Sequence, residues 1–132
     1  MSMIYLAARF SRRYECQGYR GDLQRAGHIV TSRWIDLNEE NEAAAANCAR
    51  IDIEDLDAAD TVIALGDVPR SNASRGGHHF EAGYALASGH RILLVGHREH
   101  VFSYLPEIEF HPNWESCLAT LKAEQPKLKR VA

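Results

Sequence analysis

The chain has 132 residues, enough for one domain with a real hydrophobic core and too few for two ordinary ones. Fifteen basic residues against eighteen acidic leave a formal charge of −3, which offers no broad attraction for a nucleic-acid polymer or an acidic membrane surface. Cys16, Cys48 and Cys117 are odd in number and widely separated, in no CxxC or Cys/His ligand spacing, which is the usage of reduced thiols in a cytoplasmic protein; neither a signal peptide nor a transmembrane helix is expected.

Met3 to Ala8 is a continuous apolar run ended by a polar turn, the pattern of a strand buried on both faces. Ser11 can cap a following helix whose stripe is Cys16, Tyr19, Leu23 and Ala26, with Gly27 where a C-terminal glycine belongs. His28 to Arg33 reads as the second strand. From Asn41 to Asp57 an alanine-rich helix groups Ala45, Ala49, Asp52 and Leu56 on one face, with the aspartate in mid-stripe. Thr61 to Leu65 is a third buried strand, and Gly66 to Gly77 is a loop of Pro, Ser, Asn and Gly. A helix from about His78 to Ser88 is expected to turn Phe80, Gly83, Tyr84 and Ala87 inward and to stop at Gly89. Ile92 to Val95 is the fourth strand, a weak fifth lies near Ile108 to Phe110, and a last helix runs around Trp114 to Glu124. One domain over residues 1–125 and a short basic tail over 126–132 account for the chain.

Strands alternating with helices predict an α/β fold, an open parallel five-stranded sheet of flavodoxin-like order 2-1-3-4-5 with helices on both faces. Ligands of such sheets sit beyond the carboxyl ends of the strands, near the switch point between the first and third. That places the turn Ala7, Ala8, Arg9, Phe10 and Ser11 and the loop ending in Gly76 and Gly77 at the site.

Glu81 falls in the first turn expected for the helix after Gly76-Gly77, at the edge where a ligand would sit; the plainer reading is a glutamate that complements the helix dipole. Asp52 needs a partner, a proton or a polar cavity, because a carboxylate in an apolar stripe is otherwise costly. Tyr5 in a buried strand reads first as core with its hydroxyl satisfied. Arg9, Arg12 and Arg13 surround the turn into the first helix, where guanidinium and free N–H groups together suit a phosphate, although a solvated basic face is the commoner reading for Arg12 and Arg13. The turn is neither a Walker loop nor GxGxxG, and no GxSxG elbow occurs, so no nucleotide or nicotinamide cofactor is expected. Nor is a metal: of the seven histidines, His78 and His79 are adjacent, His97 and His100 share a loop, and no HExxH occurs.

Ile4-Tyr5-Leu6-Ala7-Ala8, then Asp52 ahead of Asp60-Thr61-Val62-Ile63, then Gly76-Gly77-His78-His79-Phe80-Glu81-Ala82-Gly83-Tyr84-Ala85-Leu86-Ala87, resemble in order and spacing the nucleoside 2-deoxyribosyltransferases and the related deoxynucleoside 5′-monophosphate N-glycosidases. The resemblance covers roughly residues 3 to 106. It implies that Glu81 attacks C1′ to form a glycosyl ester, that Tyr5 orients it and that Asp52 serves the departing base. It also implies a homo-oligomer in which the loop Gly96 to Phe102, about His100, completes a neighbour's site. One departure stands out. Where the transferases carry an aspartate for the sugar 5′-OH and the monophosphate hydrolases a small hydroxyl residue, this chain has Arg75, which cannot accept that hydrogen bond but suits a phosphate. A small-molecule nucleotide or nucleoside is thus the expected partner. The alternative on the same fold is a nucleotide-binding module without turnover, which needs a cavity but not two placed carboxylates.

Overall fold

The computed structural model describes residues 1–37, 42–69 and 76–124. Five strands, β1 (Met3–Ala7), β2 (Ile29–Val30), β3 (Thr61–Leu65), β4 (Arg91–Val95) and β5 (Ile108–His111), form one sheet in the order β2-β1-β3-β4-β5, every pair parallel. The register is set by Ile4 opposite Thr61, and Thr61 in turn opposite Arg91. Parallel neighbours need crossovers, and α1 (Arg13–Arg25), α2 (Glu42–Ala58), α3 (Gly77–Ala87) and α4 (Trp114–Glu124) lie between or after the strands. Tyr19 of α1 stacks on Trp114 of α4 with ring centroids 4.1 Å apart, whereas Tyr84 of α3 donates to Asp57 of α2. One pair of helices therefore covers each face. Between them Ile4, Leu6, Ile63, Leu65 and Leu93 are wholly buried. No described helix is long and apolar enough to cross a membrane.

Several local expectations need correction. Ser11 is exposed and caps nothing; a 3-10 turn over Phe10–Arg12 intervenes, and α1 starts at Arg13. Gly27 does close the helix, at a φ of 90° that favours glycine. The second strand is only Ile29–Val30, because the Ser32 hydroxyl accepts from the Leu6 N–H and the Trp34 indole donates to the Leu6 carbonyl. Side chains thus replace backbone at the end of β1.

The stripe expected on α2 also fails in part: Leu56 is buried, but Ala45 and Ala49 are exposed. A 17-residue helix spans about 25 Å and a five-residue strand about 17 Å, so the first turns of α2 overhang the carboxyl edge of the sheet. On α3 the expected inner face is mostly outward, with only Tyr84 half-buried against the core. Phe80 is 68% exposed, Gly83 and Ala87 are exposed, and His78 and Ala85 are buried instead. The inward positions 78, 81, 82 and 85 follow helical spacing but carry His, Glu and two alanines, so the apolar pattern gave the wrong face.

Candidate active site

The carboxyl ends of β1 and β3 and the start of α3 meet at the switch point. Tyr5, fully buried in β1, donates its hydroxyl to Oε2 of Glu81. Burial, then the negative charges of Glu81 and Asp52, drive the Tyr5 phenol far above its ordinary pKa, so it remains a proton donor throughout the physiological range. The structure thereby brings together Tyr5, Glu81 and Asp52, the three residues singled out as catalytic. Asp55, one turn beyond Asp52, is a different case: its carboxylate accepts from the backbone and side chain of Arg33, both at 2.8 Å, and locks the stretch after β2 to α2.

α3 begins at Gly77, so Glu81 stands in its second turn and no acidic residue occupies the first. The expected first-turn placement is thus corrected, and with it goes the helix-dipole reading, since that effect fades beyond the end turn. Gly76 caps the helix with a left-handed φ of 87°. Among the described residues nothing lies within 4 Å of a Cβ built at Gly76 or Gly77.

On the other side of the switch point, Ala7 and Ala8 are buried. Arg9 pairs through Nε with Asp67 at 3.4 Å and keeps 29% of its side chain exposed. Arg12 is more committed: it grips Glu15 through two bonds of 2.9 and 2.7 Å and also reaches Asp67 and the Gly66 carbonyl. Ser11, next to Arg12 in the chain, is exposed. Arg75, central to the phosphate expectation, lies outside the described residues.

Sequence reasoning missed Asp67 and Glu99. Asp67, 5% exposed, follows β3 at the strand's carboxyl end and is the anchor for both Arg9 and Arg12. Its position right after a buried strand at the switch point was the available signal. Its N–H donates to Glu99, which comes from the loop after β4. Glu99 in turn lies 2.9 Å from His79 Nε2, and His100 Nε2 lies 3.2 Å from His79 Nδ1. Within one chain His100 therefore joins His79 rather than the Tyr5–Glu81 pair. Burial pushes the Glu99 carboxyl upward, but the Asp67 N–H and the two imidazoles outweigh it and hold Glu99 below its usual value.

No protein-family model matches the sequence, and no curated protein does. Solved structures do. The CMP N-glycosidase of Clostridium botulinum superposes with a TM-score of 0.63 at 19% identity, over 92% of this chain and 98% of that one. A 2-deoxyribosyltransferase from Bacillus psychrosaccharolyticus gives 0.69 at 18% identity, over 90% and 95%. The chain shares their fold. These are the same two kinds of protein that the motifs around Tyr5, Asp52 and Glu81 resemble, and identities this low extend the likeness to architecture alone.

Proposed function

We propose that this protein cleaves the N-glycosidic bond of a nucleoside 5′-monophosphate or nucleoside through a covalent intermediate on Glu81. The observation that carries the reading is the buried Tyr5 hydroxyl on the Glu81 carboxylate, with Asp52 close enough to act on the same phenol. A binding module has no need of a tyrosine aimed at a carboxylate beside a second acid. In the proposed reaction Tyr5 fixes the Glu81 carboxylate, which forms a bond to C1′ as the bond from C1′ to the base nitrogen breaks. The electron pair leaves with the base, and Asp52 in its acid form supplies the proton. Water, or a second base, then displaces the ester with return of the original anomeric configuration.

The structural neighbours named for CMP and for 2-deoxyribosyl transfer are consistent with either acceptor. Arg9, half turned to solvent at the start of the 3-10 turn, together with Arg75, favours a substrate with a 5′-phosphate. Association into at least a dimer belongs to the same reading. Phe80, Val101, Phe102 and Tyr104 are 64–77% exposed, and His79, His100 and Phe102 touch ring to ring between α3 and the loop.

The deciding experiment incubates the protein with nucleosides and 5′-monophosphates, with and without a second free base, and follows released base. Turnover is expected, greater for monophosphates, and lost in Glu81→Gln with the fold intact. A glycosyl adduct on Glu81 should appear by mass spectrometry with a slow substrate. An active Glu81→Ala protein defeats the assignment. In Arg75→Ser the monophosphate kcat/KM should fall about 10- to 100-fold while nucleoside rates change far less, as expected for one charge-assisted contact.

A further inference from the structure

Beside α3, away from Tyr5, a cavity floored by Ile92, Leu94 and Ile108 ends in a polar group that the glycosidic chemistry leaves unused. His78, His79 and Glu99 each offer one ligand atom there, all within 4.8 Å of one another. Ligand atoms held 2.0–2.1 Å from a tetrahedral ion lie roughly 3.4 Å apart. His78 Nε2 stands 3.5 Å from Glu99 Oε1, and His79 Nε2 stands 2.9 Å from Glu99 Oε2, and one ligand atom from each residue lies within 4.8 Å of the others, so the side chains must draw together by up to about 1.4 Å to reach that spacing.

Adjacent helical residues diverge by about 100°. Here both rings turn toward one carboxylate, their centroids only 4.0 Å apart. The supports are those that orient metal ligands. The Asp67 N–H fixes Glu99, and His79 Nδ1 faces His100 Nε2 at 3.2 Å, so His79 can donate from Nδ1 while its Nε2 takes an ion in place of a proton. His78 is 3% exposed, and the Glu99 side chain 15%. Sequence spacing argued against a metal because it weighed histidines alone; Glu99, twenty residues away, gathers them.

We propose that His78, His79 and Glu99 bind one divalent transition-metal ion of the zinc class, leaving a fourth position open to water. Two imidazoles and one carboxylate suit zinc, cobalt and nickel better than magnesium or calcium, which take oxygen ligands. The ion clamps the loop after β4 onto the first turns of α3, one turn from Glu81, and so holds that helix start in place.

The test uses the full chain freed of metal by a chelator and dialysed. Titration with Co(II) should develop visible d–d bands that saturate at one equivalent. Zn(II) at a hundredfold excess over its Kd should raise Tm by on the order of 5–10 °C. Glu99→Gln and His79→Gln, each checked for fold by circular dichroism, should weaken Co(II) binding at least tenfold. His79 is partly exposed, so its variant carries the test if Glu99→Gln does not fold. Absence of both the bands and the Tm shift in the wild-type chain overturns the proposal, as does Co(II) affinity within twofold of wild type in a folded variant. No substrate enters these measurements, so their outcome is independent of the glycosidase reading.

Discussion

Tyr5 shows how one hydroxyl can decide what a buried carboxylate does. Replacing it with phenylalanine keeps the volume of a fully buried side chain and removes only the bond to Glu81. Tyr5→Phe should therefore fold normally and lose about 10- to 100-fold in kcat, the worth of a hydrogen bond to a charged group. Steady-state kinetics alongside urea unfolding would separate the two effects, and an unchanged kcat would return Tyr5 to the core. Gly66 is constrained for another reason. A Cβ there would sit 2.0 Å from the His97 carbonyl oxygen, so the end of β3 and the loop after β4 touch backbone to backbone. Gly66→Ala should cost about 3 kcal/mol, because backbone rather than a flexible side chain must move. The urea midpoint measures it, and the displaced loop is the one that carries Glu99.

Among the elements, β1 and its surroundings owe much to groups outside the strand ladder. The Ser2 N–H donates to His28 Nδ1, and the Met3 N–H donates to Asp60. Burial, helped by the N-terminal charge and opposed by Asp60 and Glu124, holds His28 below its ordinary pKa. With the folded value below the unfolded one of about 6.5, the unfolded chain binds more protons between the two, so stability falls as pH drops below about 6.5. Unfolding in urea at pH 7 and pH 5.5 should show the loss, and His28→Gln should reduce it, leaving the share of His78 and His100, which burial also holds low; an equal slope in the variant would exonerate His28. The strands β1, β3 and β4 were legible from the sequence because strands buried on both faces are unbroken apolar runs. The helices were legible in extent; α1 was legible in orientation too, with Cys16 and Leu23 buried as expected, but α3 was not. α3 buries His78, leaves Glu81 half-buried and turns Phe80 outward, so the apolar pattern alone does not say which side of this helix packs inward. Tyr5, Asp52 and Glu81 could be found only by their joint register. Asp67 and Glu99 make contacts that no single stretch of sequence contains.

For the whole molecule, the exposed aromatic groups of α3 and of the turn at Val101–Tyr104 bear on association. Sedimentation velocity should give a species larger than one chain, and Phe80→Ser combined with Phe102→Ser should shift it toward the monomer. If the neighbour's loop completes the site, activity per chain should also fall on dilution; a monomeric wild type with full activity would remove that part of the reading. The parallel sheet has a further effect, on the order in which the fold can assemble. Ile4 of β1 pairs with Thr61 of β3, and no hairpin links any two of its neighbouring strands. Such long-range pairing must close a large loop before it is rewarded, which slows folding relative to a helical bundle. During synthesis at about 5–20 residues per second, β1 leaves the ribosome on the order of 3 to 10 s before β3 does. For that interval one of the most apolar segments of the chain, wholly shielded at Ile4 to Ala7 in the finished protein, has no strand to pair with on that side, and so is exposed to non-native association.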